Sequence, residues 1–516
     1  MLNLATLLED SARKYADKTA FVFMDTALSF EQINAAANQV ANALVTLGIQ
    51  SGDKVALSCF NLPYFPIIYN GILKAGAVVV PLSVLLKADE IHYHLENSDA
   101  KVYFCFEGTS DLPMGKMGFE GFQLTATCEH FFMIMPKSDI PSSQGQIKTF
   151  SELVKNQSPF FDTIETKASD TAVIIYTSGT TGRPKGAELT HSNLLVNAVL
   201  SVDLFEGRSE DVHLIVLPLF HIFAMTVMMN TALYKGATAI LLPRFDPETV
   251  LNLFDKHKVT VFAGVPTMYW GLNSYLDNNN YDISGIRTNL KSCLSGGASL
   301  PVAVLEKFEE RFEIKILEGF GMSEGSPVVT FNQIDIGRKI GSVGTPVWGV
   351  KVKLINEQGE DVERGEKGEL VYKGHNVMKG YYKNPEATTA AIVDGWLHSG
   401  DIAVQDEDGF FYIVDRTKDM IIRGGLNVYP REVEEVMMKH ESVSMVAVIG
   451  VPDNEKGEEI KAFVVLNEGA TTTEKELTAY TKSNIAAYKY PRIIELTKTL
   501  PMSATGKILK KELRKL

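Results

Sequence analysis

Residues 176–186 constrain this chain more than any other stretch: Tyr176-Thr177-Ser178-Gly179-Thr180-Thr181-Gly182-Arg183-Pro184-Lys185-Gly186. Four apolar residues, Ala172 to Ile175, precede it and read with Tyr176 as a short buried strand. Hydroxyl side chains and glycines then run up to a Pro-Lys-Gly end. Glycines let a backbone turn tightly and approach a ligand. Hydroxyls, backbone N–H groups and a lysine suit a polyanion such as a phosphate chain. A plain polar turn is the alternative, but eleven residues with one apolar side chain make an unusually long one. The stretch reads as a phosphate loop at the end of a buried strand. It is not the Walker A loop, which needs four residues between a glycine and Gly-Lys-Ser/Thr. Here Arg183-Pro184 separates Gly182 from Lys185.

A chain of 516 residues exceeds one ordinary core, so two or more domains are expected. A net charge of -13 argues against nucleic acid as the main partner, while leaving room for a local basic pocket. Cys59, Cys105, Cys128 and Cys293 are widely spread, with neither metal-ligand spacing nor a disulfide framework, which fits a reducing cytoplasm. Met1-Leu2-Asn3 lacks the basic flank of a signal peptide. The most apolar region, Tyr64 to Leu86, is interrupted by Pro66, Lys74 and Pro81. It reads as a buried helix and then a buried strand, not as a spanning segment. Peripheral membrane contact and a homodimer remain compatible with this surface.

Strand, helix and strand alternate before the loop. Ile33, Ala37, Val40, Leu44 and Leu47 form a helix face ended by Gly48. Val55 to Leu57 and Ala77 to Val80 read as strands around a helix at 67–75. This spacing predicts parallel sheet with crossover helices. Residues 107–149 carry a weaker pattern and are assigned as variable surface. After the loop a helix begins near Asn193. Leu214 to Leu217, Ala237 to Leu242, Val259 to Phe262, Leu290 to Leu294 and Ile314 to Leu317 read as buried strands. Ligands in open α/β sheets sit beyond such carboxyl ends. From Val350 the strands alternate as half-solvated ones, predicting a small antiparallel subdomain. Residues beyond 419 read as a compact α/β unit with a helix from Glu432 to Lys439, another near 473–485, and a basic helix from Ile508 to Leu516. The linker falls at 416–418.

Several short segments carry candidate chemistry. Glu318-Gly319-Phe320-Gly321-Met322-Ser323-Glu324 sets an aromatic, a hydroxyl and a carboxylate among glycines. An aromatic can stack on a flat base, and a carboxylate beside phosphates is an ordinary Mg²⁺ ligand. Asp401 stands beside a strand end, where a carboxylate can hold a ribose diol or cap a turn. Lys507, in Pro501-Met502-Ser503-Ala504-Thr505-Gly506-Lys507, offers compact charge on a glycine-containing loop. It is a solvated side chain or a group that offsets charge developing on oxygen.

Taken together, these segments resemble the adenylate-forming, AMP-binding superfamily, and within it the chain is most similar to bacterial medium- or long-chain fatty-acid–CoA ligases. Ser295 to Ala298, Gly319 to Glu324, Tyr381-Tyr382, Gly395 to Asp401, Asp415 to Asp419, Gly425 to Glu432 and Pro501 to Lys507 occur in the order of that family's motifs. The resemblance implies an α/β protein in three parts. Residues 1–415 form a large N-terminal domain of two packed α/β sheet subdomains plus a small antiparallel β subdomain, residues 416–418 a hinge, and residues 419–516 a small mobile C-terminal α/β domain. It implies ATP and Mg²⁺, with CoA as co-substrate and a small carboxylic acid as partner.

The resemblance also implies roles. Thr177, Ser178, Thr180 and Lys185 wrap the β- and γ-phosphates; Gly297 and Ala298 line the adenine, and Phe320 stacks on it where relatives carry tyrosine. Ser323 replaces the usual threonine beside the α-phosphate, and Glu324 is the Mg²⁺ ligand. Asp401 and Arg416 hold the ribose, Lys507 bridges carboxylate and α-phosphate, and His221 stands beside the acyl channel. Lys418 takes the hinge position where many relatives carry aspartate. A fatty acid is the favoured substrate, with cinnamate- or benzoate-like acids as the alternative. Transfer to a carrier protein and a non-catalytic nucleotide-binding role are the competing functions. Joint retention of Lys185, Glu324, Asp401, Arg416 and Lys507 argues against the last.

Overall fold

A computed structural model of the protein describes residues 2–137, 140–142, 145, 147–177, 183–453 and 455–516. Two large mixed sheets carry most of the chain. The first has nine strands, and its middle runs parallel through Ile316–Gly321, Ser292–Ser295, Val261–Gly264, Val212–Ile215, Thr238–Leu241 and Thr19–Phe23. The edges are antiparallel: Val328–Phe331 and Thr345–Pro346 on one side, Thr26–Ser29 on the other. The second sheet has seven strands. Thr171–Thr177, Val78–Pro81, Lys54–Ser58, Ala100–Phe106 and His130–Ile134 lie parallel. Lys185–Thr190 and Gly380–Tyr381 add an antiparallel edge.

Helices cover the sheets and are stopped and started by their own sequence. Ser29 and Gln32 form a reciprocal capping box at the start of Phe30–Thr46, and Thr190 and Asn193 do the same for His191–Leu204. Each such cap contributes ~1 kcal/mol. A third, antiparallel sheet follows, of Val350–Ile355, Lys367–Gly374, Trp396–Gln405 and Ile392–Val393, with Phe411–Arg416 paired to Trp396–Gln405. One continuous apolar core joins these three sheets. The last sheet pairs Leu426–Val428, Ile421–Arg423, Gly457–Leu466 and Val443–Asp453, with Ile493–Leu496 parallel to Gly457–Leu466. Its two apolar clusters, around Val433 and Val464 and around Phe463 and Leu500, are separate from the large core. This is the expected α/β architecture, with its antiparallel subdomain and small C-terminal α/β unit. Among the described residues no helix is long and apolar enough to cross a membrane.

The segment 107–149 departs from the expected variable surface. It contains the helix Met114–Gln123 and the edge strand His130–Ile134. The glycines that weakened its helical pattern are the reason it packs. Gly115, Gly118 and Gly121 recur at three-residue spacing on one face, where a Cβ would lie 2.7 Å from the Met133 sulfur, 2.6 Å from the Cys105 sulfur and 2.8 Å from Ile91. The stripe lets the helix lie flush on the sheet and on its neighbouring helix Ala88–Ser98. The basic C-terminal helix is also shorter than expected, one turn at Lys510–Leu513, with only Leu513 buried in it.

Candidate active site

The phosphate-loop segment joins two antiparallel strands, with Thr177 directly opposite Lys185. Ser178 and Thr180 lie outside the described residues. Pro184 at the loop's end is held from behind: the Tyr93 hydroxyl donates to its carbonyl at 2.7 Å, and the Arg183 guanidinium lies 5.3 Å from the Tyr93 ring centre.

Glu324 enters from the other sheet on the turn Ser323–Gly325, which follows the strand Ile316–Gly321. That strand can carry only glycine at 321, where a Cβ would fall 2.2 Å from the Pro327 carbonyl oxygen. Glu324 is buried, and its Oε1 accepts from the Thr177 hydroxyl at 3.2 Å and from the Tyr381 hydroxyl at 2.8 Å. The Lys185 ammonium lies 5.2 Å from the Tyr381 ring centre. Tyr381 therefore links lysine and carboxylate, and its phenol is pushed up by burial and by the Glu324 charge. Ser323 is half-buried on the same turn.

Beside this cluster opens a cavity of about 740 Å³ whose walls include Gly297, Ala298, Phe320, Asp401, Arg416 and Lys507. Asp401 and Arg416 face each other across paired strands. Asp401 Oδ1 accepts from Arg416 Nε at 3.2 Å, while the buried Oδ2 has no hydrogen-bond partner. Burial raises its pKa, against the pull of Arg416 and Lys507. A buried carboxylate oxygen left without donors is costly, and a ligand diol would supply them. Nucleoside chemistry fits this wall.

Lys507 reaches the cavity from the C-terminal unit. The Thr267 hydroxyl donates to the Gly506 carbonyl at 3.0 Å, tying the lysine loop to the large core. Lys507 retains solvent-accessible surface because the cavity is open. Its ammonium is nevertheless crowded by protein, and this burial, with Arg416 adding repulsion, lowers its pKa to about 8. His221 is held at about 4 by burial and by the Lys507 charge, so its imidazole is neutral at pH 7. Its Nδ1 accepts from the Phe223 N–H at 3.3 Å, at the start of an eight-residue π-helix, Phe223–Asn230. Such helices are rare and cluster at functional sites.

Among the described residues no three His, Cys, Asp or Glu side chains come together as a metal centre. One buried carboxylate beside a phosphate loop is what Mg²⁺ needs when substrate phosphates and water complete its shell. Glu324 fits that requirement. The structure thus gathers every described candidate into two adjoining groups, Thr177, Lys185, Ser323 and Glu324 in one, Gly297, Ala298, Phe320, Asp401, Arg416 and Lys507 in the other, with His221 close enough to feel Lys507. Sequence reasoning left out Tyr381 and Tyr93 as site residues. Tyr381 stood in the Tyr381-Tyr382 motif without an assigned role, and Tyr93, between His92 and His94, carried no signal of its own.

The chain belongs to the AMP-binding enzyme family, matching the AMP-binding enzyme model over residues 8–382 and the AMP-binding enzyme C-terminal domain over 432–507. Its chemistry is that of an adenylate-forming ligase that uses ATP and Mg²⁺, with CoA as acyl acceptor. It is 41% identical to a long-chain-fatty-acid–CoA ligase of Bacillus subtilis, over 99% of this chain and 94% of that one. It is 36% identical to a feruloyl-CoA synthase of an Amycolatopsis species, over 98% and 97%. The crystal structure of an anthranilate CoA ligase in complex with anthranoyl-AMP superposes with a TM-score of 0.90 at 30% identity, over 99% of this chain and 96% of that chain.

Proposed function

We propose that this chain is an AMP-forming CoA ligase for an apolar monocarboxylic acid. The observation that carries the reading is Lys507, brought by the C-terminal unit into the cavity that also holds Asp401 and Phe320. In the first step a carboxylate oxygen attacks the α-phosphorus of ATP and pyrophosphate leaves. Thr177, Ser178, Thr180 and Lys185 hold the β- and γ-phosphates. Glu324 holds Mg²⁺, which when bound offsets charge on the phosphate oxygens. Phe320 stacks on adenine against Gly297 and Ala298, and Asp401 with Arg416 takes the ribose. Ser323 donates towards the α-phosphate, and Lys507 offsets the negative charge where the new bond forms. In the second step the CoA thiol attacks the acyl carbon, loses its proton and expels AMP. Residues 416–418 then act as a hinge that withdraws Lys507 and presents the Gly424-Gly425 region, a rotation that few residues need to absorb.

The acid is read from the segments that the sequence assigns to the acyl channel. Phe220, Met225, Val265, Met268, Val328 and Val329 are buried and apolar. The Phe223 ring packs against Gly296, where a Cβ would come within 3.3 Å of it. Apolar walls with few polar groups suit a slender or flat hydrophobic acid. An aryl acid of the cinnamate or benzoate kind is supported by the feruloyl-CoA synthase and the anthranilate ligase among the relatives. A medium- or long-chain fatty acid is the second reading, favoured by the 41% identity to a long-chain-fatty-acid–CoA ligase. Pyrophosphate release with a panel of aryl, aliphatic and dicarboxylic acids, followed by mass detection of acyl-CoA, tests this. Turnover is expected with apolar monocarboxylates, and a preference for dicarboxylates or for no acid at all contradicts it.

The pKa of Lys507 gives a pH prediction. A lowered lysine pKa means the charged form is complete below about 8 and lost above it. Acyl-AMP formation is expected to decline as pH rises through about 8, approaching tenfold per unit beyond. ATP–pyrophosphate exchange measured across that range checks it. A cytoplasmic location also belongs to this proposal and rests on four buried free thiols. Peripheral membrane contact and a homodimer are further parts of it, read by vesicle flotation and by sedimentation.

A further inference from the structure

We propose that the Thr267 hydroxyl is the docking point that seats the lysine loop of the C-terminal unit for the first half-reaction and releases it for the second. The inference rests on the proposed two-step ligase reading and names a contact which that reading requires to break. Thr267 stands in the first turn of the helix Pro266–Asn278, whose Met268, Tyr269 and Leu272 are buried in the large core. Its hydroxyl donates to the Gly506 carbonyl at 3.0 Å. Close approach at this point needs glycine. Gly506 has a φ of +77°, and a Cβ there would lie 2.8 Å from the Thr267 hydroxyl oxygen and 3.1 Å from a Val265 methyl. Two residues earlier, Ala504 packs against the large core. Thr267, Trp270 and Gly506 line both the nucleotide cavity and a neighbouring one of about 500 Å³, so the contact stands where the two cavities meet.

The lysine loop is braced within its own unit. The Lys507 N–H donates to the Ser503 hydroxyl at 3.1 Å, and the Ser503 N–H donates to the Lys507 carbonyl at 2.8 Å. The Gly506 N–H donates to the Ser503 carbonyl at 2.9 Å, and the Leu509 N–H to the Pro501 carbonyl at 2.8 Å. These bonds travel with the C-terminal unit, so the loop moves as one piece. The Thr267 bond does not travel. Its donor belongs to the large core, and its acceptor carbonyl is joined directly to the Lys507 nitrogen. A hydrogen bond is lost within about 1 Å of added separation. Any rotation about 416–418 that takes the Lys507 backbone out of the cavity therefore breaks it. The bond exists where Lys507 stands beside Asp401 and Arg416, and in no orientation that withdraws the lysine. A contact made in one of two states biases the equilibrium between them. Thr267 is a positioning residue, acting through Gly506 to set where Lys507 stands.

The test separates the half-reactions. Thr267→Val keeps the branched shape and removes the donor, whereas Thr267→Ser keeps the donor. Thr267→Val is expected to slow acid-dependent ATP–pyrophosphate exchange about fivefold, the worth of one hydrogen bond, and Thr267→Ser to stay within about twofold of the unaltered chain. Acyl transfer from supplied acyl-AMP to CoA should hold its rate or rise in both. An equal fall in both half-reactions, a fall confined to acyl transfer, equal losses in the valine and serine variants, or no change at all overturns the proposal. An activity-free measurement backs it. Spin labels replacing Phe160 and Ile493, exposed positions on the large core and on the C-terminal unit, are read with ATP and Mg²⁺ present. Thr267→Val should show a larger share of a second distance than the otherwise unaltered chain. Identical distance distributions also overturn it. If the unaltered chain forms no acyl-AMP with any acid, the function proposal fails, and the label distances decide the docking point alone.

Discussion

Lys507→Ala is expected to cut acyl-AMP formation by ~10²–10³-fold, the cost of removing one charge aimed at a transition state. Acyl transfer from supplied acyl-AMP to CoA should be nearly unchanged. The size of the effect follows from where the ammonium stands. It sits in the cavity with Asp401 and Arg416, in surroundings crowded enough by protein to lower its pKa to about 8. The change should leave the fold intact. Lys507 makes no ion pair among the described residues, and its repulsion by Arg416 and Lys418 is set against attraction to Asp401 and Asp419. Thermal unfolding should therefore match the unaltered chain. The pH dependence near 8 should vanish together with the rate. Retention of that pH dependence would assign it to another group and remove the basis for the Lys507 role.

Glu324→Gln is expected to slow adenylation by ~10²-fold at low Mg²⁺, with partial recovery as Mg²⁺ is raised. Glutamine keeps an acceptor oxygen for Thr177 and Tyr381, so the local hydrogen bonds survive while the charge that attracts the ion is lost. Glu324→Ala is a different experiment. It leaves two hydroxyls without their acceptor in a buried place, and ~1–3 kcal/mol of stability goes with them. Comparing the two variants separates metal binding from support of the fold. Initial rates titrated against Mg²⁺ give the answer, and an unchanged Mg²⁺ dependence in Glu324→Gln would contradict the assignment.

Much of the architecture was legible because burial writes itself as apolar runs. Val55 to Leu57 lies within the strand Lys54–Ser58, while Ala77 to Val80 and Leu290 to Leu294 overlap the strands Val78–Pro81 and Ser292–Ser295, all in the parallel interior of a sheet. The helix at Met114–Gln123 was not legible, because its packing relies on absent side chains: three glycines at three-residue spacing read as loop chemistry in one dimension and as a contact face in three. The chemical groups of the site were legible as residue types. Their grouping was not. Asp401 and Arg416 are fifteen residues apart and meet through strand pairing. Lys507 meets Asp401 through docking of a separate unit, which local sequence does not encode. Tyr381 stood in a motif, but its role did not show, because it acts through Glu324, a partner distant in sequence.

The most direct test of the central chemistry follows an oxygen atom. The acid that best supports pyrophosphate release is labelled with ¹⁸O in its carboxylate and turned over with ATP and CoA. Attack of that carboxylate on the α-phosphorus leaves one labelled oxygen in AMP once the thiol has expelled it, and none in pyrophosphate. AMP carrying a single ¹⁸O is the predicted result. Unlabelled AMP, or label found in phosphate or pyrophosphate, would contradict activation through an acyl-adenylate.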